Sequence, residues 1–402
     1  MRVLYLTARF PSAPGEAFLT AEVAALRALG AELHVVPAVR HLGPVPEGRW
    51  QDSFGEVVRC DPVQAWRRAW RHPIDAARVL RIVVPSVMTE RTRTAAQGAV
   101  RSSVALAVAQ QFDGRIDHVH AHWADTPATL AMATAQLLDV PWGFTAHRGD
   151  IVAANALDRK VASAAYVHCI SSRSRDMLVG RLRSSAAARQ KVAVRHLGVD
   201  LPAEPVSGCD VRDVRYPLVV CPAQLKPVKG HRFLLEAMAI LRDRGVHCRL
   251  LVCGEGDLLT ELQRRARDLG VSDLVEFTGD LAQPALFRMY RDGLVQAVVL
   301  PSIDLGDGEH EGIPASLIEA MAHAVPVIST RTGGIPELIT GPTVGTLVGP
   351  GDGAALADAI ADVLRDSHRA RAIGHAAREA VAASWTAERS ATVLLRAMQE
   401  AA

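Results

Sequence analysis

The chain has 402 residues, too many for one ordinary core, so two domains are expected. With 49% hydrophobic and 22% charged residues it is not a disordered chain, and no apolar run is long enough to span a membrane. A formal net charge of +2 gives no reason to expect a nucleic-acid partner.

The opening MRVLYLTA turns polar too soon for a signal peptide. Six cysteines (Cys60, Cys169, Cys209, Cys221, Cys248 and Cys253) contain no CxxC pair. Several fall in apolar, strand-like runs, which predicts buried thiols in a reducing cytoplasm. Residues 2–7 read as a buried strand and 16–29 as an amphipathic helix stopped by Gly30, with 32–37 as the next strand. Arginines then crowd residues 59–101, where Trp66 and Trp70 stand one helical turn apart among Arg67, Arg68 and Arg71. That spacing suits a helix in the headgroup layer of an anionic membrane; an ordinary helix with its arginines in solvent is the competing reading.

Strands at 118–122 and 142–147 flank a helix at 127–138, a βαβ rhythm that implies a parallel sheet covered on both faces. His118, His120 and His122 share one face of their strand. With no acid placed beside them by the sequence, they read as sheet lining, and no metal is expected. The rhythm breaks at 198–217, rich in Gly, Pro and charge. It restarts with strands at 218–221, 249–253, 275–278 and 296–300 and helices at 231–244 and 257–269. The expected organisation is a Rossmann-like, acceptor-binding domain over 1–200, a linker over 201–216 and a Rossmann-like, nucleotide-sugar-binding domain over 217–384. A helix over 385–402 is expected to return to the first domain.

The most informative segment is 304–332, DLGDGEHEGIPASLIEAMAHAVPVISTRT. A strand delivers it to the carboxyl edge of the sheet, where ligands bind in open α/β folds. Pro314 suits a helix start, so a helix is predicted from Pro314 or Ala315 to about His323. Its first amides lack internal partners and carry partial positive charge, a cradle for a diphosphate. Glu311 stands just outside that helix. Glu319 stands just over one turn inside, about 6 to 8 Å along the axis at roughly 1.5 Å per residue. Two carboxylates so placed can accept hydroxyl hydrogens on either side of bound phosphates.

The run E-GIPASLI-E is the E-x7-E motif of family 4 retaining glycosyltransferases. The wider segment EGIPASLIEAMAHAVPVISTRTGGIPELI resembles the bacterial exopolysaccharide members, of the colanic-acid and amylovoran type. Lys229-Gly230, Gly254 to Asp257 and Phe277-Thr278-Gly279 extend the likeness through the second domain. FPSAPGEAFLTAEVAAL and FTAHRGDI carry it, more loosely, into the first. The resemblance implies an α/β GT-B fold, two Rossmann-like domains facing across a cleft, and a retaining, metal-independent hexosyltransferase. Such an enzyme uses a nucleoside-diphosphate sugar as donor substrate and no cofactor. The acceptor is expected to be a saccharide, a lipid-linked saccharide or a small molecule, and the location cytoplasmic, with peripheral contact at the inner membrane face.

By that resemblance Glu311 holds the donor sugar together with the amides of Gly312, Ile313 and Ser316 around Pro314, and Glu319 holds the ribose. Lys229 neutralises the departing diphosphate. Gly254 and Gly279 frame the base, and Gly15 lets backbone approach the phosphates. His147 contacts the sugar, and Asp150 orients the loop or the acceptor. One position departs from the pattern: where the family usually has an arginine, five residues before Lys229, this chain has Gln224, leaving Lys226 as the alternative cation. No DxD triplet is present, so a metal-bridged diphosphate is not supported. Two alternatives remain, a GT-B sugar-nucleotide epimerase and a catalytically weak nucleotide-binding scaffold subunit.

Overall fold

A computed structural model describes residues 1–9, 16, 18–38, 67, 73–88, 95–152, 156–183, 185–203, 216–306 and 308–402. It divides into two units, Met1–Gly198 with Ala387–Ala402, and Val199–Thr386. Part of the arginine-rich stretch, including Trp66 and Trp70, lies outside the described residues, as do Gly15, Cys60, Cys209 and most of the expected linker. Among the described residues no helix is long and apolar enough to cross a membrane.

The first unit is built on a parallel sheet of β1 (Arg2–Thr7), β2 (Glu32–Pro37), β3 (His118–His122), β4 (Trp142–Ala146), β5 (Tyr166–Cys169) and β6 (Val192–Val194). The order is β2-β1-β3-β4-β5-β6. The central strands are buried along their length, accompanied by α2 (Pro73–Met88), α3 (Ala95–Phe112), α4 (Thr126–Leu138), α5 (Arg148–Val152), α6 (Leu157–Ser163), α7 (Ser172–Arg181) and α8 (Ala186–Gln190). Helix α1 (Leu19–Ala28) begins later than the sequence pattern predicts. Glu16 is tied elsewhere: its carboxylate accepts the backbone N–H of Ala8 at 3.3 Å and of Arg9 at 2.6 Å. The apolar stripe of α1 (Leu19, Val23, Leu26) meets Val3 and Tyr5 of the sheet and Ala391, Leu394 and Met398 of α16 (Ala387–Ala401).

The second unit repeats the plan with β7 (Leu218–Pro222), β8 (Arg249–Cys253), β9 (Val275–Gly279), β10 (Ala297–Leu300), β11 (Val327–Thr330) and β12 (Thr346–Val348). These run parallel in the order β12-β11-β10-β7-β8-β9. Helices α9 (His231–Asp243), α10 (Leu259–Asp268), α11 (Gln283–Arg291), α12 (Ala315–Ala322), α14 (Gly353–Arg365) and α15 (Ser367–Ser384) accompany it. Between α12 and α14 lies the single turn α13 (Ile335–Leu338). Cys221, Cys248 and Cys253 are free, buried thiols of this unit, as is Cys169 of the first. Burial raises the Cys248 and Cys253 thiols to about 11, so they behave as packing atoms rather than nucleophiles.

In the first unit Gly143 on β4 leaves room for the Tyr166 ring, which stacks on His118 and His120. A Cβ at 143 would come within 2.6 Å of that ring. Gly143→Ala is expected to destabilise by about 1–3 kcal/mol through overpacking, read from the midpoint of denaturant unfolding.

Candidate functional site

The strand order of the second unit reverses between β7 and β10. The loops that follow these two strands therefore leave the carboxyl edge side by side, at the point where open α/β sheets bind ligands. One loop carries Lys229, the other Glu311, and their side chains form an ion pair that is 18% and 13% exposed. The close approach depends on glycine. Gly230, at φ +67°, lies where any Cβ would strike the carbonyl of Pro301. Gly333, at φ +57°, stands in the same relation to the carbonyl of Glu311.

Burial works to raise the Glu311 carboxyl. The Lys229 ammonium outweighs it, helped by donors from Gly312 N at 3.2 Å and Ser302 Oγ at 3.3 Å, and Glu311 ends below the ordinary carboxylate value. Helix α12 begins immediately beyond, with Pro314 as its N-cap. The Pro314 carbonyl accepts from the amides of Leu317 at 3.1 Å and Ile318 at 3.5 Å, so Ala315 and Ser316 precede the helical ladder. Ile313 is buried and Ser316 half-buried. Glu319, one turn in, accepts from Gln283 Nε2 at 2.6 Å. Burial raises its carboxyl to about 7 against that hydrogen bond. Gly279 lies near Glu255 Oε1, and the Glu255 carbonyl accepts from Leu225 N at 2.9 Å, so the loops of Gln224, Gly254 and Gly279 adjoin. Gln224 and Lys226 are both exposed, and among the described residues neither side chain is hydrogen-bonded to Glu311 or Lys229.

In the first unit, His147 follows β4 directly. Its Nε2 is 2.8 Å from His122 Nε2, and its ring centroid is 4.0 Å from that of Trp123. Burial, with His122 beside it, holds its pKa well below 6.5, so the ring is neutral. Asp150 accepts from the amides of His147 at 3.1 Å and Ala124 at 2.5 Å, joining the loops after β3 and β4. Burial, then the nearby Asp125, raises the Asp150 carboxyl to about 7. Trp123 has φ +93°, a costly conformation for a bulky residue, and its indole N–H donates to Glu16 Oε1 at 2.5 Å. Sequence reasoning found neither this strain nor Ser302 and Gln283. For Trp123 the available signal was a tryptophan next to the strand-end histidine.

The histidines of β3 need a correction. The sequence placed no acid near them, yet Glu22 of α1 comes in among them, and its carboxylate with His120 and His122 forms a cluster of ligand-type atoms within 4.8 Å. These atoms already have partners. Glu22 Oε2 pairs with Arg195 at 2.6 Å, both side chains almost fully buried at 4% and 1% exposed. Glu22 Oε1 accepts from Tyr5. His122 Nδ1 is 2.9 Å from Tyr5 Oη, and His120 Nδ1 is 2.9 Å from Tyr166 Oη. A guanidinium this close to the carboxylate disfavours a second cation there, and the cluster is a hydrogen-bonded network.

Residues 211–380 match the family model of glycosyl transferases group 1. A GDP-mannose-dependent alpha-(1-6)-phosphatidylinositol monomannoside mannosyltransferase of Mycolicibacterium smegmatis is 35% identical over 216 residues, covering 51% of this chain and 56% of that protein. The amylovoran biosynthesis glycosyltransferase AmsK of Erwinia amylovora is 33% identical over 180 residues, covering 44% and 43%. The chain thus spans about half the length of the curated relatives it matches. Among solved structures, HepE of Anabaena in complex with UDP and glucose aligns over 100% of both chains, with a TM-score of 0.72 at 16% identity, a likeness of fold. Residues 211–380, within the second unit, are thus similar to glycosyl transferases group 1, and the chain with its two parallel α/β sheets has the GT-B fold.

Proposed function

We propose that the protein transfers a sugar from a nucleoside-diphosphate sugar to a hydroxyl acceptor with retention of anomeric configuration. The observation that carries this reading is the Lys229–Glu311 pair at the reversal of strand order, directly before the open amides of α12. There the cation and the amides of Ala315 and Ser316 meet a diphosphate, Glu311 accepts sugar hydroxyls and Glu319 those of the ribose. As the sugar–phosphate bond breaks, its electron pair leaves on the diphosphate, where Lys229 and the helix amides stabilise it. The acceptor hydroxyl attacks from the same face and gives its proton to the departing phosphate oxygen. No divalent ion has a role in this scheme. His147 supplies a contact to a sugar, and Asp150 fixes the loop from which His147 projects. Gln224 leaves the phosphates with one cation fewer than the family pattern, and Lys226 is the side chain proposed to substitute.

Relatives whose names include amylovoran biosynthesis and phosphatidylinositol monomannoside support a saccharide or lipid-linked acceptor. A relative named for GDP-mannose and a fold neighbour holding UDP and glucose leave the base open. We place the reaction in the cytoplasm, with peripheral membrane contact through the arginine-rich stretch as a further proposal. A thermal-shift screen of UDP- and GDP-sugars, followed by product analysis with and without acceptor, tests the whole reading. Donor isomerised without acceptor marks an epimerase, and binding without turnover a scaffold subunit.

Glu319→Gln is expected to weaken UDP or GDP binding on the order of ten-fold, while Glu311→Gln chiefly lowers turnover. Calorimetry and initial rates on both variants separate these effects; unchanged values in both remove the donor from this site. Because the free Glu319 carboxyl titrates near 7 and ribose hydroxyls need its ionised form, binding releases a proton. Nucleotide affinity should therefore rise with pH through about 7 in the wild type, by more than in Glu319→Gln. Transfer should persist in EDTA; loss restored by magnesium or manganese overturns the metal-free scheme. Gln224→Arg should tighten the diphosphate or raise turnover, and Lys226→Ala should weaken donor binding if Lys226 fills that role; equilibrium binding on both variants decides.

A further inference from the structure

The buried chain of hydrogen bonds behind His147 has a direction, set at its far end by a charge. Glu22 is a carboxylate: burial alone would raise its pKa, but the Arg195 guanidinium holds it well below 4.5. Tyr5 keeps its proton, since burial and the adjacent Glu22 push its hydroxyl well above 10. A carboxylate only accepts, so the Tyr5 O–H donates to Glu22 Oε1. The phenol oxygen, 2.9 Å from His122 Nδ1, is left to accept from it. Arg195 already balances the Glu22 charge, and a second buried cation would be uncompensated, so His122 is a neutral ring with its one proton on Nδ1. Its Nε2 then has only a lone pair to offer His147 Nε2 at 2.8 Å, and the proton between them belongs to His147.

We propose that Glu22, Tyr5 and His122 are positioning residues that fix His147 as the Nε2–H tautomer, so that its Nδ1 presents a lone pair to a hydroxyl-donating ligand. This rests on the reading of His147 as a sugar contact and deepens it: the ring accepts a hydrogen bond from a sugar hydroxyl and is a poor partner for a position lacking one. Among the described residues nothing bonds His147 Nδ1. A parallel chain runs from the same ion pair. Arg195 donates to Thr145 Oγ1 at 2.9 Å, which is 3.2 Å from His120 Nε2, while His120 Nδ1 is 2.9 Å from Tyr166 Oη.

The test is nitrogen NMR of the full chain labelled at histidine, with His120→Gln, His122→Gln and His147→Gln used to assign signals. The expected spectrum has His147 protonated on Nε2 and bare on Nδ1, and His122 the reverse. An Nδ1–H His147, or an imidazolium at His122, overturns the proposal. Glu22→Gln reverses the polarity at its source: the amide oxygen accepts from Arg195 and the amide nitrogen donates to Tyr5, so both tautomers should invert. A merely structural Glu22 would leave them as they are. Tyr5→Phe leaves Glu22 Oε1 3.4 Å from His122 Nδ1 as a direct acceptor, and the wild-type tautomers should persist. The wild-type and Tyr5→Phe spectra decide the matter if Glu22→Gln does not fold. The spectra need no donor: tautomers as expected together with a fully active His147→Ala would sink the sugar-contact reading and leave the network standing.

Discussion

The buried pair of Glu22 and Arg195 organises the first unit. Glu22 comes from α1 and Arg195 from just after β6, and Ser390 of α16 accepts from the same guanidinium at 2.7 Å while donating to the His196 carbonyl at 2.9 Å. Three distant stretches of chain are thereby held by one charge pair. Desolvating two charges makes such a pair a weak source of net stability, but removing one partner alone costs about 3–5 kcal/mol. What the pair supplies is a defined direction for the hydrogen bonds of a sheet face built from histidines and tyrosines, where neutral groups alone would leave several arrangements of similar energy.

The second unit solves a different problem with the same topology. Its carboxyl edge holds a cation and an anion together where two loops part, and glycines at 230 and 333 remove the side chains that would keep those loops away. In the proposed reaction the donor's phosphates meet a lysine already balanced and positioned, so little reorganisation is needed before it can stabilise developing charge. Glu319, held by Gln283 in an apolar setting, is by contrast poised near its titration midpoint at neutral pH and responds to what binds.

The strands β1 to β4 and β7 to β10 were legible to within a residue or two, as short runs between turn residues, whereas β5, β6, β11 and β12 were not read. The start of α12 was legible for the same local reason, a proline followed by good helix formers. The start of α1 was not. Glu16 fits a helical pattern, but a distant indole and two backbone amides claim its carboxylate. The partners of the β3 histidines were hidden for a related reason: Glu22 sits among Leu19, Val23 and Leu26 and reads as one polar residue in a helix, and only the fold shows that it points into the sheet. The pairing of Lys229 with Glu311 joins positions 82 apart in sequence, and no local pattern records it; the likeness to a family pointed to each residue separately.

The placement of α16 bears on how the protein is made. The face of α1 formed by Leu19, Val23 and Leu26 leaves the ribosome long before the side chains that cover it, Ala391, Leu394 and Met398. The second unit is contiguous in sequence and can complete its core before α16 is made, while the first waits with an open apolar face for that helix. Loss of α16 would thus be felt as damage to the core built on α1, with a chain that lacks it displaying a sticky surface.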